Sequence, residues 1–212
     1  MTGASTEPEA RGGGKREEVL SAALELMAER GIKGASLREL ARRVGLSQPS
    51  LYHYFESKRD LIAQLVERYT APAMEPPAGL PARADLRAIL TVAARRALAH
   101  WSSAELATFS RFMLVLAFEQ PEVAGAFRDE VLRRALEAAR PWLGALVARG
   151  ELRAEDGEVA VRAVVNSVAM RCIEERVLRG RQPAPGELDG YADFVADVVA
   201  RGVAERAREG GQ

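Results

Sequence analysis

The stretch from Ser36 to Phe55, SLRELARRVGLSQPSLYHYF, leaves the backbone few choices. Ser36 followed three residues later by Glu39 is the S-x-x-E pattern of a capping box. The hydroxyl accepts from the Glu39 amide, and the carboxylate can reach back to the amide of Ser36. Leu37, Leu40, Ala41 and Val44 recur at helical spacing and form one apolar face, with Arg38, Arg42 and Arg43 largely off it. Gly45 falls just past the last periodic residue, where a left-handed helix stop favours glycine, and Leu46 tucks the turn onto the core. Ser47 caps a second helix, with Pro49 in its first turn, where a missing amide hydrogen costs little. Leu51 and Phe55, four residues apart, face inward. The spacing predicts two short helices joined by a tight turn.

An ordinary helical hairpin accounts for these caps and this turn. It does not account for the outward surface, where Gln48, Ser50 and His53 stand beside the rings of Tyr52 and Tyr54, behind a helix bearing arginines. Amide, hydroxyl, imidazole, phenol and guanidinium are hydrogen-bonding groups of the kinds used on base edges and phosphates. The pattern points to a second helix that enters a DNA major groove.

The run from about Lys15 to Val66 resembles the DNA-binding domain of the tetracycline-repressor (TetR) family. It contains GIKGASLRELARRVGLSQPSLYHYFESKRDL, with the family's L-Y-x-x-F-x-x-K-x-x-L pattern at Leu51, Tyr52, Phe55, Lys58 and Leu61. The resemblance implies that Gln48, Pro49, Ser50 and His53 face base edges. It implies that Ser36, Tyr52, Tyr54 and Lys58 hold phosphates. Arg42, Arg43 and Lys33 are further candidates for phosphate, and Tyr52 is equally readable as part of the core.

The whole chain reads as all-α. Of its 212 residues 48% are apolar but only 6% aromatic, so the core is mostly Ala, Leu and Val, which favours helix over sheet. The expected plan is a disordered polar tail over 1–14, a three-helix helix-turn-helix domain with a fourth helix over 15–70, and a helical effector-binding and dimerisation domain over 82–209. Ala71–Pro81 holds four prolines and a glycine and marks the boundary. The first helix is expected over Lys15–Arg30, ended by Gly31. The pattern S-K-R-D at Ser57–Asp60 predicts the cap of the next one. Further helices are expected over Asp85–His100, Ser103–Glu119, Pro121–Arg149, Glu158–Leu178 and Glu187–Arg206. Pro141 should kink or divide its helix. The segment Phe112–Phe118, apolar almost all round, should be central.

Net charge is zero, and residues 11–70 carry eleven basic against eight acidic side chains, a mild surplus that permits DNA binding without demanding it. No apolar run approaches the roughly 18 residues of a membrane span. The first residues lack the apolar centre of a signal peptide, and the single cysteine, Cys172, has no internal disulfide partner. These features predict a cytoplasmic protein with no membrane partner. No phosphate loop, metal-ligand spacing or nucleophile elbow is visible, so neither cofactor nor metal nor catalytic residue is expected, and the chain is not read as an enzyme. His53 belongs to the second helix, His100 ends another near Trp101, and Cys172 sits on an apolar face.

One recognition helix reads only a few base pairs, and a two-fold dimer reads a pseudo-palindrome with half-sites about 34 Å apart or a multiple of it. The last two helices are candidates for a homodimer interface, because two from each subunit make a four-helix bundle. The resemblance implies the same interface. It also implies a small-molecule effector in the C-terminal domain, with Trp101, Phe109, Phe112, Met113, Phe127, Trp142, Asn166 and Met170 as candidate lining. Such residues at helical spacing are more often plain core. A lining of this kind would take a hydrophobic or aromatic molecule. The function implied is a transcriptional regulator, a repressor released from a double-stranded operator by its effector. The alternative is a ligand-independent DNA-binding or architectural protein acting through a protein partner.

Overall fold

The computed structural model describes residues 7–71, 80–81, 83–103 and 106–209, in which helices, turns and loops occur and no strand does. The helices are α1 (Glu7–Gly34), α2 (Leu37–Arg43), α3 (Gln48–Leu51), α4 (Lys58–Thr70), α5 (Leu86–Trp101), α6 (Leu106–Glu119), α7 (Pro121–Ala148), α8 (Ala154–Ile173) and α9 (Asp189–Glu209). A π-helical turn, Glu174–Leu178, extends α8.

The chain forms two compact units, residues 1–69 with 111–124, and residues 70–110 with 125–212. In the first, α1 buries Val19, Leu20, Ala23, Leu24, Leu26 and Met27; α2 buries Leu40 and Ala41; α4 buries Leu61, Ile62 and Leu65. Leu51 and Phe55 are buried with them, and Phe112 and Leu116 of α6 are fully buried. In the second, α5, α8 and α9 pack on one another around Ile89, Leu90, Ala94, Leu98, Val164, Val168, Ala192 and Ala196. Bidentate Arg95–Asp193 contacts (2.9 and 2.6 Å) and an Arg87–Asp197 pair (3.2 Å) join α5 to α9.

Several elements depart from the sequence pattern. Helix α1 already includes residues 7–14, where a disordered tail is expected; residues 1–6 lie outside the described part. Most of Ala71–Pro81 also lies outside the described residues. Helix α7 is not divided at Pro141. Pro141 and Glu137, whose carbonyl loses its partner, are both exposed, so water can satisfy that carbonyl. Helix α6 is only partly central: Phe109, Phe112 and Leu116 are buried, but Phe118 is 87% exposed. The last turn expected of α8 is the π segment.

The corner near the end of α1 turns on Gly31, at φ 76 and ψ 167, a region open essentially to glycine alone. A Cβ at this position would also collide with Oε1 of Glu119, the last residue of α6. The Oε2 atom of Glu119 accepts from the Lys33 amide at 2.8 Å. Gly31→Ala is expected to destabilise the protein by about 1–3 kcal/mol, chiefly through backbone strain because the carboxylate can swing away. Urea unfolding checks this; an unchanged midpoint would contradict the strained corner.

Candidate nucleic-acid interface

The turn between α2 and α3 is built from short-range hydrogen bonds. Ser36 caps α2, its hydroxyl accepting from the Glu39 amide at 3.1 Å. The return half of the expected capping box is replaced, because the Glu39 carboxylate takes Arg30 instead (2.7 Å). At the other end Gly45 lies at φ 67, the Leu46 amide donates to the Ala41 carbonyl (2.8 Å), and the Gly45 amide donates to the Arg42 carbonyl (3.3 Å). This crossed pair is the Schellman stop. Lys15 of α1 adds its ammonium to the Val44 carbonyl at 2.6 Å, satisfying another acceptor at the same helix end.

Ser47 caps α3 through its hydroxyl, which accepts from the Ser50 amide at 3.2 Å. Only Gln48–Leu51 are α-helical. The chain then tightens, with Tyr52, His53 and Tyr54 amides each donating three residues back, before Phe55 donates to Leu51. The sequence pattern alone predicts a longer regular helix here, and i→i+3 bonding is a common way to satisfy the last carbonyls.

Gln48, Pro49 and His53 are exposed, while Leu51 and Phe55 on the other side are buried. Ser50 is half-buried, its hydroxyl 2.7 Å from that of Ser47. Tyr52 is 50% exposed, which settles it on the surface rather than in the core. Tyr54 is half-buried, its ring 6.4 Å from that of Phe55. Ser36 is exposed. Exposed and half-buried polar groups therefore converge on one edge, with a packed apolar layer behind them.

Lys58 stands apart from the expected phosphate set. Its Nζ donates to the carbonyls of Ile32 and Ala35, at the end of α1. Partial burial lowers its pKa, and the nearby Glu119 carboxylate acts in the opposite direction. Arg43 is likewise engaged, by Glu29 at 3.1 Å and Glu25 at 3.9 Å. Lys33, Arg38, Arg42 and Arg59 are exposed and show no side-chain partner among the described residues. Arg38 and Arg59 were not among the sequence candidates. The signal for Arg38 was present, since it lies one turn before Arg42 on the side of α2 opposite its apolar face.

The effector candidates do not form one group. Trp101 and Phe109 meet, their rings 5.7 Å apart. Trp142 is half-buried against the core of the second unit, and Phe127 is half-buried on α7. Phe112 and Met113 belong to the first unit. Asn166 is exposed and Met170 is 55% exposed, so these two lie on the outer face of α8. They lie off the stripe of Ala160, Val164, Val168 and Cys172, spaced by four in the sequence, which is the side of α8 that is buried.

A capped helix, a glycine stop and a second helix with a polar outer edge form a helix-turn-helix. The profile of bacterial regulatory proteins of the tetR family matches residues 19–65, and that of the C-terminal domain of AefR-like transcriptional repressors matches residues 88–202, more than half of the chain. The chain belongs to the TetR family, whose members are DNA-binding regulators and not enzymes. It is 32% identical to the transcriptional repressor KstR2 of Rhodococcus jostii over 37% of this chain and 41% of that one. It is 45% identical to the class C tetracycline repressor of Escherichia coli over 25% of this chain and 24% of that one. The chain thus matches well under half the length of these relatives. Among solved structures, a TetR-family regulator from Pseudomonas syringae superposes with a TM-score of 0.68 at 19% identity, covering 88% of this chain and 94% of that one. The FadR regulator of Bacillus subtilis, in complex with stearoyl-CoA, does so with a TM-score of 0.63 at 19% identity, covering 88% and 98%. At such identities these likenesses establish the fold. No helix among the described residues is long and apolar enough to cross a membrane.

Lys58→Met keeps the apolar stem and removes the ammonium. It is expected to destabilise the protein by about 1–3 kcal/mol in thermal melts, since two carbonyls lose a charged donor. Any loss of DNA affinity should come without a change in the salt slope. A slope reduced by about one would instead return Lys58 to the phosphate contacts.

Proposed function

We propose that this chain represses transcription as a homodimer on a pseudo-palindromic operator and leaves it when a small apolar or aromatic effector occupies the second unit. The observation that carries the DNA reading is the exposed edge of Gln48, Pro49 and His53 on a segment whose opposite side, Leu51 and Phe55, is buried. Gln48 has the donor and acceptor pair for the N6/N7 edge of adenine, and Pro49 suits a thymine methyl. Ser50 and His53 complete the base-facing set. Ser36, Tyr52 and Tyr54 hold phosphates, joined by Arg42, Lys33, Arg38 and Arg59, whose charges are unpaired within the described chain.

The dimer reading is supported by apolar side chains on the outer faces of the last two helices. Val159 and Met170 of α8 are 49% and 55% exposed, and Phe194 and Val198 of α9 are 65% and 51% exposed. Water contact at four such positions on two adjoining helices is what a partner surface relieves. The effector reading rests on the Trp101–Phe109 pair in the second unit. The acyl chain of the stearoyl-CoA bound to the Bacillus subtilis neighbour agrees with an apolar effector. Release requires only that the effector prefer the DNA-incompetent arrangement, by about 1–3 kcal/mol of coupling.

Fluorescence anisotropy on DNA from the protein's own upstream region, over a salt series with competitor, tests the reading. Competitor-resistant binding of two chains per pseudo-palindrome is expected; weak binding erased by salt would overturn it. On the operator so found, Gln48→Ala should cost roughly 1–3 kcal/mol and relax preference at one base pair, whereas Arg42→Ala should weaken all sequences alike and lower the salt slope by about one. A uniform loss from Gln48→Ala would contradict its role. The double substitution Phe194→Asp with Val198→Asp should give a monomer in sedimentation and lower operator affinity by about tenfold or more. A variant that stays dimeric would place the interface elsewhere.

A further inference from the structure

The π-helical turn after α8 holds an unusual concentration of charge. Glu175 is fully buried, and Arg176 beside it is only 8% exposed. Adjacent buried side chains are common in the helices of this chain, as at Leu61 and Ile62, but there they are apolar, whereas here both carry charge. The wider π turn, closed by the Arg179 amide donating to the Glu174 carbonyl at 2.9 Å, carries both inward. Such turns recur at functional sites.

The carboxylates of this region are already engaged by other arginines. Glu174 takes Arg171 (3.0 Å) and Arg179 (2.5 Å). Glu175 takes Arg171 (2.7 Å), Arg181 (2.8 Å) and Arg179 (3.3 Å). Glu187 takes Arg181 (2.6 Å). Arg176 has no carboxylate among the described residues. One of its terminal nitrogens donates to the Ser103 carbonyl, which already accepts from the Leu106 amide, and its Nε–H is buried with no acceptor. A guanidinium has five N–H donors, and a buried cation without a counter-charge is costly. The surroundings are dry as well as positive. Cys172, one turn before, is buried, and its thiol is pushed up to about 12 by burial, against the pull of Arg176 and Arg171. The corner that supplies the Ser103 carbonyl also carries Trp101, half-buried and stacked near Phe109.

We propose that Arg176 anchors the carboxylate of an amphiphilic organic acid, whose apolar body lies along the half-buried Trp101 of the second unit. This rests on the effector reading above and narrows it from apolar molecules in general to those with an acidic end. A carboxylate supplies the missing counter-charge and an acceptor for the orphaned Nε–H, in the planar geometry that guanidinium groups favour. A purely apolar ligand leaves both deficits in place.

Calorimetric titration of the full chain with decanoate and with 1-decanol tests the assignment, with Trp101 fluorescence as a second readout. The wild type is expected to bind decanoate about ten- to a hundredfold more tightly than the alcohol, at one site per chain. Arg176→Gln should bring decanoate down to the affinity of the alcohol and leave the alcohol unchanged; Arg176→Lys should restore part of the preference. Equal affinities for the two probes in the wild type, or undiminished decanoate binding by Arg176→Gln, would overturn the anchor while leaving an apolar effector in place. Failure of both probes to bind would overturn the effector reading and the anchor with it. The comparison of acid with alcohol needs no variant, so it decides even if Arg176→Gln does not fold.

Discussion

The reading edge of this protein depends on how the chain leaves α1. The last carbonyls of a helix have no partner within it, and here those of Ile32 and Ala35 lie just past the kink at Gly31. Two distant side chains settle the account of donors and acceptors. Lys58 brings an ammonium to the Ile32 and Ala35 carbonyls, and Glu119 brings a carboxylate to the Lys33 amide. Helices α1, α2 and α4 are thereby held to a common corner, and α3 takes its bearing from α2 through the Gly45 stop. The exposure of Gln48 and the burial of Leu51 are downstream of that corner.

What could be read from the sequence follows the range of the interactions. The caps at Ser36, Ser47 and Ser57, the stop at Gly45 and the inward pair Leu51 and Phe55 are set by residues within about a turn of one another, and they stand in the structure as the pattern implies. Lys58 was assigned to DNA by its place in a family motif, yet its ammonium faces carbonyls more than twenty residues away. No local pattern reports such a partner. The same holds for Glu119, which a helical stripe places on α6 but cannot direct to Gly31. Pro141 misled for the opposite reason: a local rule gave a break, and an exposed carbonyl with access to water removed the need for one.

The C-terminal unit divides its apolar side chains between two tasks. Tyr191, Phe194, Val195, Val198 and Val199 recur at helical spacing along α9 and read as one stripe. The structure separates it into buried Val195 and exposed Phe194 and Val198. The stripe is wider than its neighbours in this chain cover, and the proposed dimer surface is drawn from the part left exposed. Asn166 and Met170 belong to this outer surface rather than to an interior. Arg176 presents the converse case, a charge drawn inside by a π turn that no composition or spacing rule foretells.

Helix α6 contributes residues 111–119 to the same compact unit as α1–α4, although some forty residues of the other unit intervene in the chain. This has a consequence for the order of events at the ribosome. Domains generally fold as they emerge, N-terminal first. Here the α1 corner waits for Glu119, and the buried positions of Phe112 and Leu116 stay unfilled until that helix has left the exit tunnel. A nascent chain released after α4 would carry the whole helix-turn-helix and still lack part of the core behind it. Completion of that core is in this way tied to synthesis of a segment encoded well downstream of it.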